Sequence, residues 1–155
     1  MKKNSITLNS FEGCLSFKQL RKEGYRKIPQ DPGVYIIIYK GKNPPKYLIT
    51  GTGGHYKGLD PNELVTSLKR KWIKNTKIIY IGKGNNLRSR IKLYSHFGNG
   101  EPVAHRGGRF IWQLEGSENL IVAWKLCTSS RSLEKDLIEK FVLVYGSLPF
   151  ANIIH

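Results

Sequence analysis

The sequence predicts one domain that mixes strands and helices, and three observations carry that expectation. Three strand-sized apolar runs, around Tyr35, Tyr80 and Val122, are separated by segments with helical spacing. The chain has 155 residues, enough for one hydrophobic core and short for two. Hydrophobic residues make up 39% of it and aromatics 11%, a composition that can bury a core.

Each element has a local reason. In the lead-in, residues 1–28, Ser16 can cap a short basic helix over 17–22 that Gly24 would terminate. Pro29 and Asp31-Pro32-Gly33 punctuate the chain before a first strand over 34–39, rich in β-branched and aromatic residues. Residues 40–57 hold four glycines and Pro44-Pro45 around Tyr47-Leu48-Ile49, and read as a loop or hairpin excursion. Asp60-Pro61-Asn62-Glu63 resembles a cap with proline in the first turn, opening a helix through Leu64, Leu68 and Trp72 whose other face carries Lys69, Arg70, Lys71 and Lys74.

A second strand over 78–82 ends in glycine, and Asn85-Asn86 caps a helix with Leu87, Ile91 and Tyr94 on one side. His105-Arg106-Gly107-Gly108-Arg109 is a basic glycine loop, either an anion nest for a DNA phosphate or a simple turn. Leu120 to Trp124 supplies a third strand. Leu133, Leu137, Phe141 and Val144 have helical spacing within 132–145.

The charge balance narrows the function. With 26 Lys+Arg against 11 Asp+Glu the net charge is +15, and polyanions are the natural partner of such a surface. An anionic membrane surface is the competing explanation. No run approaches the roughly 18 apolar residues of a membrane span, and Lys2 and Lys3 precede polar residues where a secretory signal would have an apolar core; a cytoplasmic location is expected. Cys14 and Cys127 lie far apart with no Cys/His cluster, so both are expected to be plain thiols. No Walker pattern accompanies the Gly-Lys-Gly turn at Lys83, which argues against nucleotide hydrolysis.

Gly33-Val34-Tyr35 with Tyr80-Ile81-Gly82 downstream resembles the paired signature of the GIY-YIG nuclease superfamily. Either tripeptide alone carries nothing, since such triplets occur in many strands; the spacing of the residues beyond Tyr80 gives the pair its weight. Lys83, Arg90 and Tyr94 stand three, ten and fourteen residues after Tyr80, the spacing of the nuclease half of bacterial excision-repair incision proteins. Glu134 lies on a segment similar to the family's glutamate helix, and Pro149 and Asn152 resemble its closing proline and asparagine. The likeness spans residues 29–153, with an insertion at about 40–77.

The resemblance implies an α/β (α+β) domain with a central, mainly antiparallel three-stranded sheet flanked by helices. It also implies a metal-dependent endonuclease that hydrolyses DNA phosphodiester bonds to 5′-phosphate and 3′-hydroxyl ends. In that scheme Tyr35 or Tyr80 activates the water, Arg90 stabilises the phosphate, Glu134 holds one Mg²⁺ or Mn²⁺ ion, and Asn152 braces the site. Tyr35 is the preferred base.

The residues themselves point the same way. Phosphodiester cleavage needs an activated water, positive charge on the phosphate and help for the leaving oxygen. Arg90 and Tyr94 are four apart and share a helix face that can meet one phosphate. Lys83 and Arg90, with a metal, would favour a tyrosine phenolate. Glu134 falls at the edge of an apolar stripe, where a lone carboxylate is costly unless paired or metal-bound, whereas Asp136 and Glu139 face solvent. Glu139 stays open as the alternative ligand, because its spacing to Asn152 is shorter, as in many family members.

Duplex DNA is the expected partner, through Lys69, Lys71, Arg88, Arg106 and Arg109. His96 and His105 miss the family's histidine position, four residues after the arginine and occupied here by Tyr94, and are expected on the surface. No separate DNA-reading module is visible, so specificity would come from the domain, a dimer or a partner. A restriction-like or mobile-element role is favoured; a non-catalytic nucleic-acid binding module and an RNA nuclease are the alternatives.

Overall fold

The computed structural model describes residues 6–153. Its centre is a four-stranded, wholly antiparallel sheet formed by β1 (Glu12–Ser16), β2 (Gly33–Ile38), β3 (Ile78–Gly84) and β4 (Ile121–Leu126), in the order β1-β4-β2-β3. Three of these strands match the apolar runs. The fourth, β1, corrects the expected three-stranded sheet: it is an edge strand with a bulge between Gly13 and Leu15, and Gly13 and Cys14 both have positive φ.

Helices cover both faces, because β2 is buried along its whole length and needs apolar cover on each side. Tyr35, Ile37, Val122 and Trp124 face one core, against α1 (Phe17–Glu23) and α3 (Leu87–Gly98). Val34, Ile36, Ile38 and Ala123 face the other, against α4 (Ser130–Tyr145). Phe17 and Leu20 are fully buried, so α1 belongs to the same core as the rest, while residues 1–5 of the expected lead-in lie outside the described residues.

Capping explains the helix ends. Ser16 and Gln19 form a reciprocal capping box and Gly24 closes α1 in a left-handed turn. Asn86 accepts from the Ser89 amide to start α3. The expected cap at residues 60–63 is displaced. Asp60 accepts from the Asn62 backbone and side chain instead of opening a helix, and α2 runs from Val65 to Lys71 with no side-chain cap.

One buried amide helps to tie the insertion down. Gln113 accepts from the Glu63 amide and donates to the carbonyls of Leu48 and Glu63 at 3.1 and 2.9 Å, while Tyr47 bridges to Leu114. The basic glycine loop runs into a 3₁₀ segment, Arg106–Gln113, and contains no left-handed residue. Cys14 and Cys127 are free thiols. Among the described residues no helix is long and apolar enough to cross a membrane.

Candidate active site

Register brings the two tyrosines together. Tyr35 pairs with Gly82 and Tyr80 with Ile37 across the β2–β3 ladder, and strand alternation puts all four on one side of the sheet. The tyrosine rings are 5.9 Å apart. Gly82 permits this, since a Cβ there would sit 2.5 Å from Cζ of Tyr35. Gly84, two residues on, likewise leaves room for the stem of Arg90.

Helix α3 supplies the next wall. Tyr94 packs 5.2 Å from Tyr80 and 6.3 Å from Tyr35, and Arg90 donates to the Ala104 carbonyl at 3.3 Å. Tyr94 is fully buried and its hydroxyl donates to the Gly108 carbonyl. It therefore holds the loop after α3 in place, instead of offering a hydroxyl to a phosphate beside Arg90.

His105 is the residue that sequence reasoning missed. It is 1% exposed, not a surface histidine, and its ring stacks on Tyr94 at 3.7 Å and 2°. Its Nε2 lies 2.8 Å from the Tyr35 hydroxyl, while its Nδ1, among the described residues, bonds to no other residue. No local pattern marks it, because its burial comes from contacts with β2 and α3. His96 is half-exposed and pairs with Glu101 at 2.7 Å.

Electrostatics in the free protein differ from expectation. Burial raises all three tyrosines, Tyr35 and Tyr94 well above their ordinary value, and Arg90 opposes this in each case without overcoming it. The phenolate is disfavoured, contrary to the effect expected from Lys83 and Arg90. Burial, then Arg90, pushes His105 well below its usual value, so its imidazole is neutral. Tyr80 keeps 8% exposure; Tyr35 keeps none.

Glu134 enters from α4. It is half-buried, and burial raises its carboxyl while Lys83, Arg90 and Arg131 pull it back down. Among the described residues no hydrogen bond or ion pair within 4 Å engages it. An acceptor-only carboxylate in this state suits a hard divalent cation. No three His, Cys, Asp or Glu side chains gather among the described residues, so an ion here would take one protein carboxylate and complete its shell from water and phosphate oxygens. Asp136 and Glu139 are exposed.

Asn152 closes the free edge of β3. Its side chain accepts from the Ile81 amide at 3.0 Å and donates to the Ile81 carbonyl at 2.9 Å, imitating a strand partner beside Tyr80. The basic residues divide. Lys69 and Lys71 are exposed. Arg88, expected on DNA, is occupied within the fold: its guanidinium donates to the carbonyls of Ile28 at 2.8 Å and Arg26 at 3.0 Å. Arg106 donates to the Asp60 carbonyl, and Arg109 is partly buried near Glu63 at 3.8 Å.

Compared with protein-family models, with curated proteins and with solved structures, the chain matches none.

Proposed function

We propose that this chain is a metal-dependent endonuclease hydrolysing DNA phosphodiester bonds, with a GIY-YIG-like site built on Tyr35, Tyr80, Arg90 and Glu134. One observation carries the reading. Tyr35 of β2 and Tyr80 of β3 have their rings 5.9 Å apart, and Arg90 of α3 is near enough to act electrostatically on both and on Glu134 of α4. Three buried tyrosines need no such arrangement to fill a core, and a lone carboxylate among Lys83, Arg90 and Arg131 has no structural purpose that its contacts reveal.

Each residue then has a task. Arg90 balances the charge that grows on the phosphate, in a partly buried position where such an interaction is strong. Tyr35 or Tyr80 takes the proton of the attacking water, Tyr80 being the one of the two that keeps any exposure. Glu134 would hold a Mg²⁺ or Mn²⁺ ion, which when bound supplies Lewis-acid stabilisation of the phosphate oxygens and acidifies water. Lys83 adds positive charge, and Asn152 fixes β3 beneath Tyr80. The net charge of +15 and the exposed Lys69 and Lys71 favour a duplex partner.

The test incubates purified protein with supercoiled plasmid, single-stranded DNA and structured RNA, each with Mg²⁺ or with EDTA. Plasmid cleavage that EDTA abolishes is the expected result. Cleavage of RNA alone would move the substrate to RNA, and retention of plasmid in a gel shift without cleavage would make the chain a binding module.

A further inference from the structure

A chemical role for His105 rests on the hydrolase reading of this site. A tyrosine that accepts a proton from water must already be a phenolate or must lose its own proton in the same step. Burial around Tyr35 makes the first state rare. The second needs a base next to the phenol that can keep a proton. Carbonyl oxygens accept hydrogen bonds but are too weakly basic for that, whereas an imidazole is suited to it.

We infer that His105 is the proton acceptor behind Tyr35, a positioning and relay residue that acts through the tyrosine and does not touch substrate. Its Nε2 is 2.8 Å from the phenol oxygen, and stacking on Tyr94 at 3.7 Å fixes the ring in that orientation. Among the described residues Nδ1 is buried and bonds to no other residue, so the Tyr35 hydroxyl is the one group outside its own backbone that the ring bonds to.

The step balances. The water oxygen forms a bond to phosphorus as one of its protons passes, through Tyr80, the neighbouring tyrosine that keeps some exposure, to the Tyr35 oxygen. The Tyr35 proton passes to His105 Nε2, and the bond from phosphorus to the leaving oxygen breaks with its electron pair on that oxygen, which takes a proton from solvent to become the hydroxyl end. After product departs, the imidazolium returns its proton through Tyr35 to solvent.

The groups facing His105 are Tyr35 from β2, Tyr80 from β3, and Tyr94 and Arg90 from α3. Arg90 is the charged member, and it opposes an imidazolium in the free protein. A phosphate drawn to Arg90 offsets that charge, so the transfer becomes favourable only with substrate bound.

The experiment compares His105→Gln with the unaltered chain in Mg²⁺-dependent plasmid cleavage, under single-turnover conditions across pH, with melting and gel-shift controls. Glutamine keeps a hydrogen-bond acceptor for Tyr35 but cannot hold a proton. A relay predicts a rate lower by roughly a hundredfold or more, intact DNA binding, and a rate that simply follows hydroxide where the unaltered chain levels off once His105 is neutral. His105→Gln cutting at close to the normal rate with the same pH profile overturns the relay and leaves the nuclease reading standing. Should that variant fail to fold, ¹⁵N spectroscopy of the His105 ring in the unaltered chain decides. A bare Nε2 whose resonance moves in Tyr35→Phe supports the relay, and a protonated Nε2 overturns it. An unaltered chain that cuts no substrate overturns the nuclease reading and the relay together.

Discussion

The ring of Tyr35 occupies the space that a side chain at Gly82 would need, with Cζ of the ring 2.5 Å from where a Cβ would stand. Both residues sit in paired, buried strands, so the ring and not the backbone has to yield. Gly82→Ala is expected to cost about 1–3 kcal/mol of stability by overpacking. Cleavage should fall by a larger factor, of order a hundredfold for a displacement near 1 Å. Denaturant titration and plasmid cleavage measure the two; unchanged cleavage in a destabilised protein would detach Tyr35 from the chemistry.

Glu134→Gln is expected to abolish Mg²⁺-dependent cleavage while gel-shift affinity is kept or slightly raised, and Glu139→Gln should change neither. The stability effect has a defined sign. Burial raises the folded-state pKa of Glu134, so its protonated form is favoured by folding, and that contribution is lost as pH rises through the raised value. The glutamine variant should therefore melt at or above the wild-type temperature near neutral pH, with the difference vanishing below the ordinary carboxylate range. A Glu134→Gln protein that still cuts at the normal rate removes the metal assignment.

Affinity for duplex DNA should drop steeply between low and physiological salt, through release of condensed counterions by a chain of charge +15. Lys69→Glu and Lys71→Glu should weaken it further. Arg88→Gln should behave differently: its two bonds to the carbonyls of Ile28 and Arg26 hold the turn before β2, so the loss appears as roughly 1.5–3 kcal/mol of stability for charge-assisted bonds. Gel shifts across salt and thermal melting separate the classes, and normal stability with weakened binding in Arg88→Gln would return that arginine to the interface.

Tyr94→Phe keeps the ring stacked on His105 but leaves the buried Gly108 carbonyl without its donor. The expected cost is about 1–3 kcal/mol, with amide exchange accelerating over 105–109. Cleavage measured well below the melting temperature should fall far less than in Tyr35→Phe. Equal losses in the two variants would give Tyr94 a direct part in the reaction.

Elements with a periodic or capping signal were legible in the sequence. Val34 to Ile38, Ile78 to Gly82, the Asn86 cap and the apolar stripe of α4 all identify their elements from neighbours a few residues away. What escaped depends on distant partners. Strand β1 has an exposed face, a bulge and two positive-φ residues, which erase the alternation that marks a strand. His105 and the second role of Tyr94 arise from packing between α3 and the loop beyond it, and Arg88 looked like surface charge because nothing nearby in sequence names the carbonyls it meets. Asp60 misled for a related reason: the same side chain that caps helices also closes a two-residue turn.

Gln113 has a mechanical consequence. By joining Leu48, Glu63 and the 3₁₀ segment through a single amide, it makes the two halves of the insertion and the segment after His105 one cooperative unit. Hydrogen exchange across Leu48, Glu63 and Gln113 should therefore be correlated, opening together or not at all. Proteases should find the glycine-rich stretch far more resistant than its composition suggests. Shortening the insertion would not simply trim a loop, because it would strand the buried Gln113 amide.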